Sequence, residues 1–258
     1  MTAVAEPLSR SAFITGAAGG IGRGIALHLA AQGYRLAVSD ISEAALDQLA
    51  EDVGTACDAD TVGLQADLSD RASVGRAVNA AVDRFGGLDV LVNCAGILQD
   101  ARIEKMAAVT FRSVLEVNLV GMLNTTEAAL PALRTSGSGR VISLTSRAWL
   151  GNFGSTNYAT SKGAIAGVSR SLALSLAGDG VTVNCIAPGF IETPMSNSMP
   201  DEIIERVRQS IPVGRAGRPS DVARAVAFLA AAEADYVTGQ TITVCGGRSI
   251  SGSMRTGK

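Results

Sequence analysis

The chain has 258 residues with a net charge of -2, 47% hydrophobic and 18% charged residues. That composition can bury a substantial core and excludes a disordered segment. The balanced charge argues against nucleic acid as the main partner, which would need a basic excess or stripe. No run of about 18 apolar residues indicates a membrane span, and "MTAVAEPLSR" lacks the apolar centre of a signal peptide. The expected location is cytoplasmic. Cys57, Cys94, Cys185 and Cys245 are scattered, and His28 is the only histidine. Neither a metal site nor a His-dependent hydrolase is indicated.

In chain order, "SAFIT" (11–15) reads as a strand and "GIGRGIALHLAAQG" (20–33) as a helix stopped by Gly33. "RLAVSD" is a second strand ending at Asp40, followed by a helix from Ser42 to about Val53 with Ser42 as N-cap. "TVGLQAD" is a third strand, "RASVGRAVNAAVDRFG" a third helix and "DVLVNCAG" a fourth strand. A long helix is expected over roughly Thr110 to Leu133, then a fifth strand, "RVISL". A helix from Asn157 to about Ala177 leads to a sixth strand, "VTVNCIA", and "TITV" is a seventh. Alternating strands and helices of these lengths predict βαβ units and a parallel sheet covered on both faces. No linker or repeat divides the chain. The expected fold is a single domain over residues 1–258, α/β, a three-layer doubly wound arrangement of about seven parallel strands. Residues 192–218 are expected to form a helical insertion over the sheet.

Between the first strand and first helix lies "ITGAAGGIGRG". Glycines permit a tight turn and close approach of a pyrophosphate, and the helix N-terminus offers unpaired N–H groups to it. Asp40 ends the next strand, where a carboxylate can accept from ribose hydroxyls. Against a 2′-phosphate at about 4 Å it would cost roughly 4 kcal/mol at an effective dielectric near 20. In "NYATSKG", Tyr158 and Lys162 stand at i and i+4 and so share a helix face.

The glycine spacing, GxxxGxG through Gly16, Gly20 and Gly22, resembles the TGxxxGxG motif of the short-chain dehydrogenase/reductase family. The resemblance continues through "NCAG" (93–96), Asn118, Ser146, Tyr158-x-x-x-Lys162 and "PGFIETPM" (188–195). It implies a catalytic set of Asn118, Ser146, Tyr158 and Lys162. Tyr158 would be the general acid/base, Ser146 would hold the substrate oxygen, and Lys162 would also bond the nicotinamide ribose. Asn118 would interrupt a helix and help hold a relay water. A phenol near pKa 10 needs roughly 4 kcal/mol to reach 7, and an ammonium about 5 Å away can supply roughly 3 kcal/mol.

The resemblance further implies a cofactor site of Gly16, Gly20, Ile21, Gly22, Asp40, Ile41, Asp67, Leu68, Asn93, Ala95, Gly96, Pro188, Gly189, Ile191 and Thr193, shared with Tyr158 and Lys162. Family members that use NADP usually place a basic residue in the glycine turn or after the second strand, where this chain has Gly19 and Ile41. Arg23 reads as a helix-surface residue, so NAD is the expected cofactor. The family's serine commonly lies 13 residues before the tyrosine. Here that place holds Thr145 and Ser146 lies 12 before, but anchoring on "GRVISLTS" favours Ser146 over Thr145. Gln99, Trp149 and Phe190 are candidate substrate contacts; for Trp149 a core or interface role is equally open.

The expected activity is hydride transfer between NAD(H) and a secondary alcohol or ketone, in a homo-oligomer, a tetramer by resemblance. "GFIET" and "DYVTGQTITVCGG" resemble the 3-oxoacyl-carrier-protein reductase branch, which makes a 3-oxoacyl thioester the alternative substrate. A cofactor-sensing protein without catalysis fits less well because the serine, tyrosine and lysine are all present. A sugar-nucleotide epimerase or dehydratase usually has a longer chain and a different glycine spacing, and an enoyl reductase a wider tyrosine–lysine spacing.

Overall fold

The computed structural model describes residues 9–197 and 199–251. Seven strands form one parallel sheet: β1 (Ser11–Thr15), β2 (Arg35–Asp40), β3 (Thr61–Gln65), β4 (Val90–Asn93), β5 (Arg140–Leu144), β6 (Thr182–Pro188) and β7 (Thr241–Val244). Their spatial order is β3-β2-β1-β4-β5-β6-β7. Order reverses between β1 and β4, so a crevice opens at the C-terminal ends of these two strands. The doubly wound α/β fold expected from the alternation is the one observed.

Strand alternation assigns each side chain to a layer. Ile14, Val38, Val92 and Ile142 pack with Ile25 and Leu29 of α1 (Gly20–Ala30), Leu46 and Leu49 of α2 (Glu43–Cys57) and Val222 and Val226 of a helix at Pro219–Ala230. Phe13, Leu91, Val141 and Val183 point the other way, onto Val74 and Val78 of α3 (Arg71–Phe85), Leu133 and Ala173. Both faces are therefore apolar, which is why the strand sequences are nearly continuous hydrophobic runs.

Local chemistry sets the helix ends. The Ser42 hydroxyl accepts from the Ala45 amide at the start of α2, and the Asp70 carboxylate accepts from Ala72 at the start of α3. The helix expected to finish near Val53 runs on to Cys57.

The long central helix is composite. α4 (Ala108–Leu115) passes through one π turn, Glu116–Val120, into α5 (Gly121–Thr135). Next come α6 (Thr156–Leu176) and two helices within residues 192–218, α7 (Pro194–Asn197) and α8 (Asp201–Gln209). α9 (Pro219–Ala230) completes the layer on the α1 side. Among the described residues no helix is long and apolar enough to cross a membrane, and no cluster of His, Cys, Asp and Glu could hold a metal.

Candidate active site

A cleft of about 960 Å³ runs along the C-terminal edge of the sheet. A second cavity of about 340 Å³ lies at the opposite edge, beside Arg140 and Thr182, away from the groups considered below.

At the β1 end, Gly16 has φ +62, and a Cβ there would come within 2.6 Å of the Ala95 Cα. The turns after β1 and β4 can touch only because this residue is glycine. Gly20 opens α1 against Thr193; a Cβ would lie 2.8 Å from that side chain. No side chain caps α1, so its first-turn N–H groups and partial positive charge remain for an anion.

Asp40 closes this end. Its carboxylate accepts from the Ala18 amide at 3.2 Å and the Ile41 amide at 2.8 Å, which fixes it at the tip of β2. Arg23 is turned away and pairs with Asp52 at 2.8 Å. Asp67 lies on the same side, with its carboxyl held below the usual range by Ser69. A close glycine turn, a bare helix N-terminus and a fixed carboxylate together fit a dinucleotide: phosphates at Gly20–Gly22 and ribose hydroxyls at Asp40.

At the other end, β5 continues as extended chain through Ser146, and a 3-10 turn, Arg147–Leu150, follows. The two hydroxyls separate here. Thr145 is buried and donates to the Lys162 carbonyl at 2.6 Å, whereas the Ser146 hydroxyl accepts from the Ala148 amide at 3.1 Å and is near enough to the Tyr158 phenol to lower it. Ser146 is therefore the hydroxyl beside the phenol, and the loop between them is one residue short.

Tyr158 and Lys162 stand on the first turns of α6, with the ammonium 5.6 Å from the ring centre. Lys162 is 3% exposed, and its Nζ donates to the Leu144 carbonyl at 2.8 Å. Burial draws this lysine down to about 8. Burial also pushes the Cys94 thiol up to about 12, which keeps it neutral beside the lysine.

Asn118 sits in the π turn, behind the cleft wall rather than on it. Its Oδ1 accepts from the Ile97 amide at 2.7 Å, while its Nδ2 donates to the Ile97 carbonyl and to Ser161. Ser161 in turn donates to the Tyr158 carbonyl at 2.8 Å. A Cβ on Gly96 would meet Asn118 Oδ1 at 3.1 Å and Lys162 Nζ at 3.2 Å. The π turn, the loop after β4 and α6 are thus tied at one point.

The remaining expected residues, Gly22, Ile41, Leu68, Pro188, Gly189, Phe190 and Ile191, also line the cleft. Some expectations need correction. Asn93 does not border the cleft: it is buried, and its amide donates to Thr126 and Ser143 beneath the sheet edge. Gln99 is exposed and lies outside the lining, where its neighbours Leu98 and Asp100 stand instead. Trp149 turns away from the cleft and stacks under Arg170 at 5.9 Å. Nor does Lys162 by itself bring the Tyr158 phenol down. Burial raises it, Asp100 and Cys94 raise it further, and Ser146 only partly offsets them.

Sequence reasoning missed Asn157, which is fully buried and donates to the Gln99 carbonyl at 2.8 Å while accepting from the Tyr158 amide. Its place before the tyrosine in "NYATSK" was the available signal. It also missed Asp100, Arg147 and Arg248 as cleft residues, and no local pattern marks them.

The model of a family described as enoyl-(acyl carrier protein) reductase matches residues 16–249. The chain is 40% identical to a 3-oxoacyl-[acyl-carrier-protein] reductase, FabG, of Staphylococcus aureus over 93% of this chain and 98% of that one. It is 37% identical to the (2S)-[(R)-hydroxy(phenyl)methyl]succinyl-CoA dehydrogenase subunit BbsD of Thauera aromatica over 94% and 97%. Among solved structures, levodione reductase superposes with a TM-score of 0.91 at 32% identity, over 95% of this chain and 100% of that one. A point variant of actinorhodin polyketide ketoreductase with NADPH gives 0.90 at 33%, over 94% and 98%.

Proposed function

The chain belongs to the short-chain dehydrogenase/reductase family, whose members are oxidoreductases that use a nicotinamide cofactor on hydroxyl and carbonyl groups, and from that premise we propose an NAD(H)-dependent dehydrogenase/reductase of secondary alcohols and ketones. The observation that carries the cofactor choice is the Asp40 carboxylate fixed at the tip of β2 while Arg23 is engaged by Asp52. A 2′-phosphate there would face an anion and no compensating cation.

When bound, the nicotinamide supplies the hydride acceptor or donor. Residues of the chain handle the proton and the oxygen. Ser146 holds the substrate oxygen and stabilises charge developing on it. Tyr158 gives its proton to that oxygen in reduction or takes it in oxidation. A buried phenol that stays protonated is suited to the reductive direction at neutral pH. Lys162, protonated below about pH 8, favours the phenolate once proton transfer begins, and would bond the ribose of a bound cofactor. Asn118 holds Ile97 and Ser161 in register beside them.

The FabG relatives and the ketoreductase neighbour support a second reading, reduction of a 3-oxoacyl thioester. A steady-state comparison of NADH and NADPH against secondary alcohols, ketones and 3-oxoacyl thioesters tests both. A preference for NADPH would refute the cofactor assignment; the best carbonyl would choose between the substrates. Homo-oligomerisation, as a tetramer, completes the proposal. It is supported by large apolar side chains left exposed on α6 and α9, Leu174 and Phe228, and by the fully exposed Tyr236. Light scattering that gave a monomer would contradict it.

A further inference from the structure

Both arginines of the cleft come from the strands on one side of it. Asp40 and Asp67 lie at the β2 and β3 end, whereas Arg147 and Arg248 both line the other end, with Ser146 and Tyr158. Arg147 directly follows Ser146, and Arg248 comes from the turn after β7. Both are half-buried. Among the described residues neither guanidinium has a hydrogen-bond or ion-pair partner, although seven other arginines are paired with carboxylates. Burial lowers Arg248, and the nearby Arg147 charge lowers it further. Two adjacent, partly desolvated cations without a counter-ion are costly unless an anion joins them.

The phosphate-binding turn is an unsuitable source for that anion. β7 lies four strands from β1, or roughly 19 Å at the usual spacing. The other acidic group at this end, Asp100, faces Tyr158 and pairs with neither arginine.

We propose that Arg147 and Arg248 form a carboxylate-binding pair for the substrate, so that the favoured carbonyl compound carries a carboxylate a few bonds from its reacting carbon. Guanidinium groups bind carboxylates through paired N–H donors, which would orient the carbonyl as well as select it. The proposal rests on the reading of Ser146 and Tyr158 as the reacting end.

The test uses the NADH-saturated protein with 4-oxopentanoate, 5-oxohexanoate and 6-oxoheptanoate, each beside its methyl ester. Wild type should show an acid-to-ester ratio of kcat/KM of about 10 to 100 for at least one pair, the range expected of a charge-assisted bond. Arg147→Gln and Arg248→Gln should each lower that ratio at least about fivefold, and Arg248→Lys should restore part of it. A wild-type ratio near one, or a ratio that neither substitution moves, overturns the proposal. If Arg248→Gln weakens NADH binding by the same factor, the arginines serve the cofactor and the proposal also fails. If neither acid nor ester is reduced, the catalytic reading fails, and calorimetry decides the anion site separately. Tighter binding of acid than ester, lost in Arg248→Gln, sustains the pair; equal binding removes it.

Discussion

Lys162 donates its ammonium to the Leu144 carbonyl at 2.8 Å from a position 3% exposed to solvent. The pair joins the first turns of α6 to the end of β5, and so sets where Tyr158 stands relative to Ser146. It is also a buried cation with one neutral acceptor, which is why the lysine falls to about 8 from its ordinary 10.5.

A lysine depressed in the fold is less protonated there than in the unfolded chain between about pH 8 and 10.5. Stability therefore rises with pH across that window, and the burial cost acts in full below it. The displacement corresponds to roughly 3 kcal/mol, of which the bond to Leu144 returns about 1 kcal/mol. Lys162→Met should therefore be more stable than wild type by about 1–2 kcal/mol at pH 7, with the gain shrinking toward pH 10. Urea unfolding at several pH values checks this; a destabilised variant at pH 7 would contradict it.

Tyr158 is raised by burial, so its phenolate should appear above the ordinary tyrosine range in the cofactor-free protein. The difference in tyrosinate absorbance between wild type and Tyr158→Phe isolates it from Tyr34 and Tyr236. Adding NAD+ should bring the transition down in pH, whereas NADH should move it less, because only the oxidised ring is cationic. Equal shifts with the two forms would rule out an electrostatic origin.

Asn118 satisfies both the amide and the carbonyl of Ile97 from a fully buried position. Asn118→Ala would leave those groups unpaired, at about 2–4 kcal/mol of stability. It should also disturb α6 through Ser161. Thermal unfolding should show the loss directly. An unchanged Tm would mean that the π turn is held by other contacts.

Much of this was legible in the sequence. The strand and helix periods, the glycine turn, Asp40 and the Tyr158/Lys162 pair are local patterns, and local patterns survive without tertiary information. Ser146 was favoured over Thr145 by anchoring on "GRVISLTS", and in the fold Ser146 stands nearer the phenol while Thr145 bonds the Lys162 carbonyl. What was not legible depends on how distant segments meet. Asn93 sits in a cofactor-like motif, yet its side chain is used by Thr126 and Ser143 across the sheet edge. Trp149 follows β5 but faces Arg170, because the 3-10 turn rotates it away. Arg248 meets Arg147 only because β7 closes the sheet beside β6.

Ser146→Ala should lower kcat by about 10²–10³, whereas Thr145→Val, which removes a hydroxyl bonded only to the Lys162 carbonyl, should lose far less. Single-turnover rates would distinguish them. A larger loss at Thr145 would place the oxygen-binding hydroxyl one residue earlier.

The most direct measurement is the turnover of Tyr158→Phe with NADH and the best ketone of the panel, made beside an NADH titration of the same sample. With Tyr158 as the acid/base, kcat should fall at least about 10²-fold while the NADH dissociation constant stays within about threefold, roughly 0.7 kcal/mol. Turnover near that of wild type with intact cofactor binding would contradict that role.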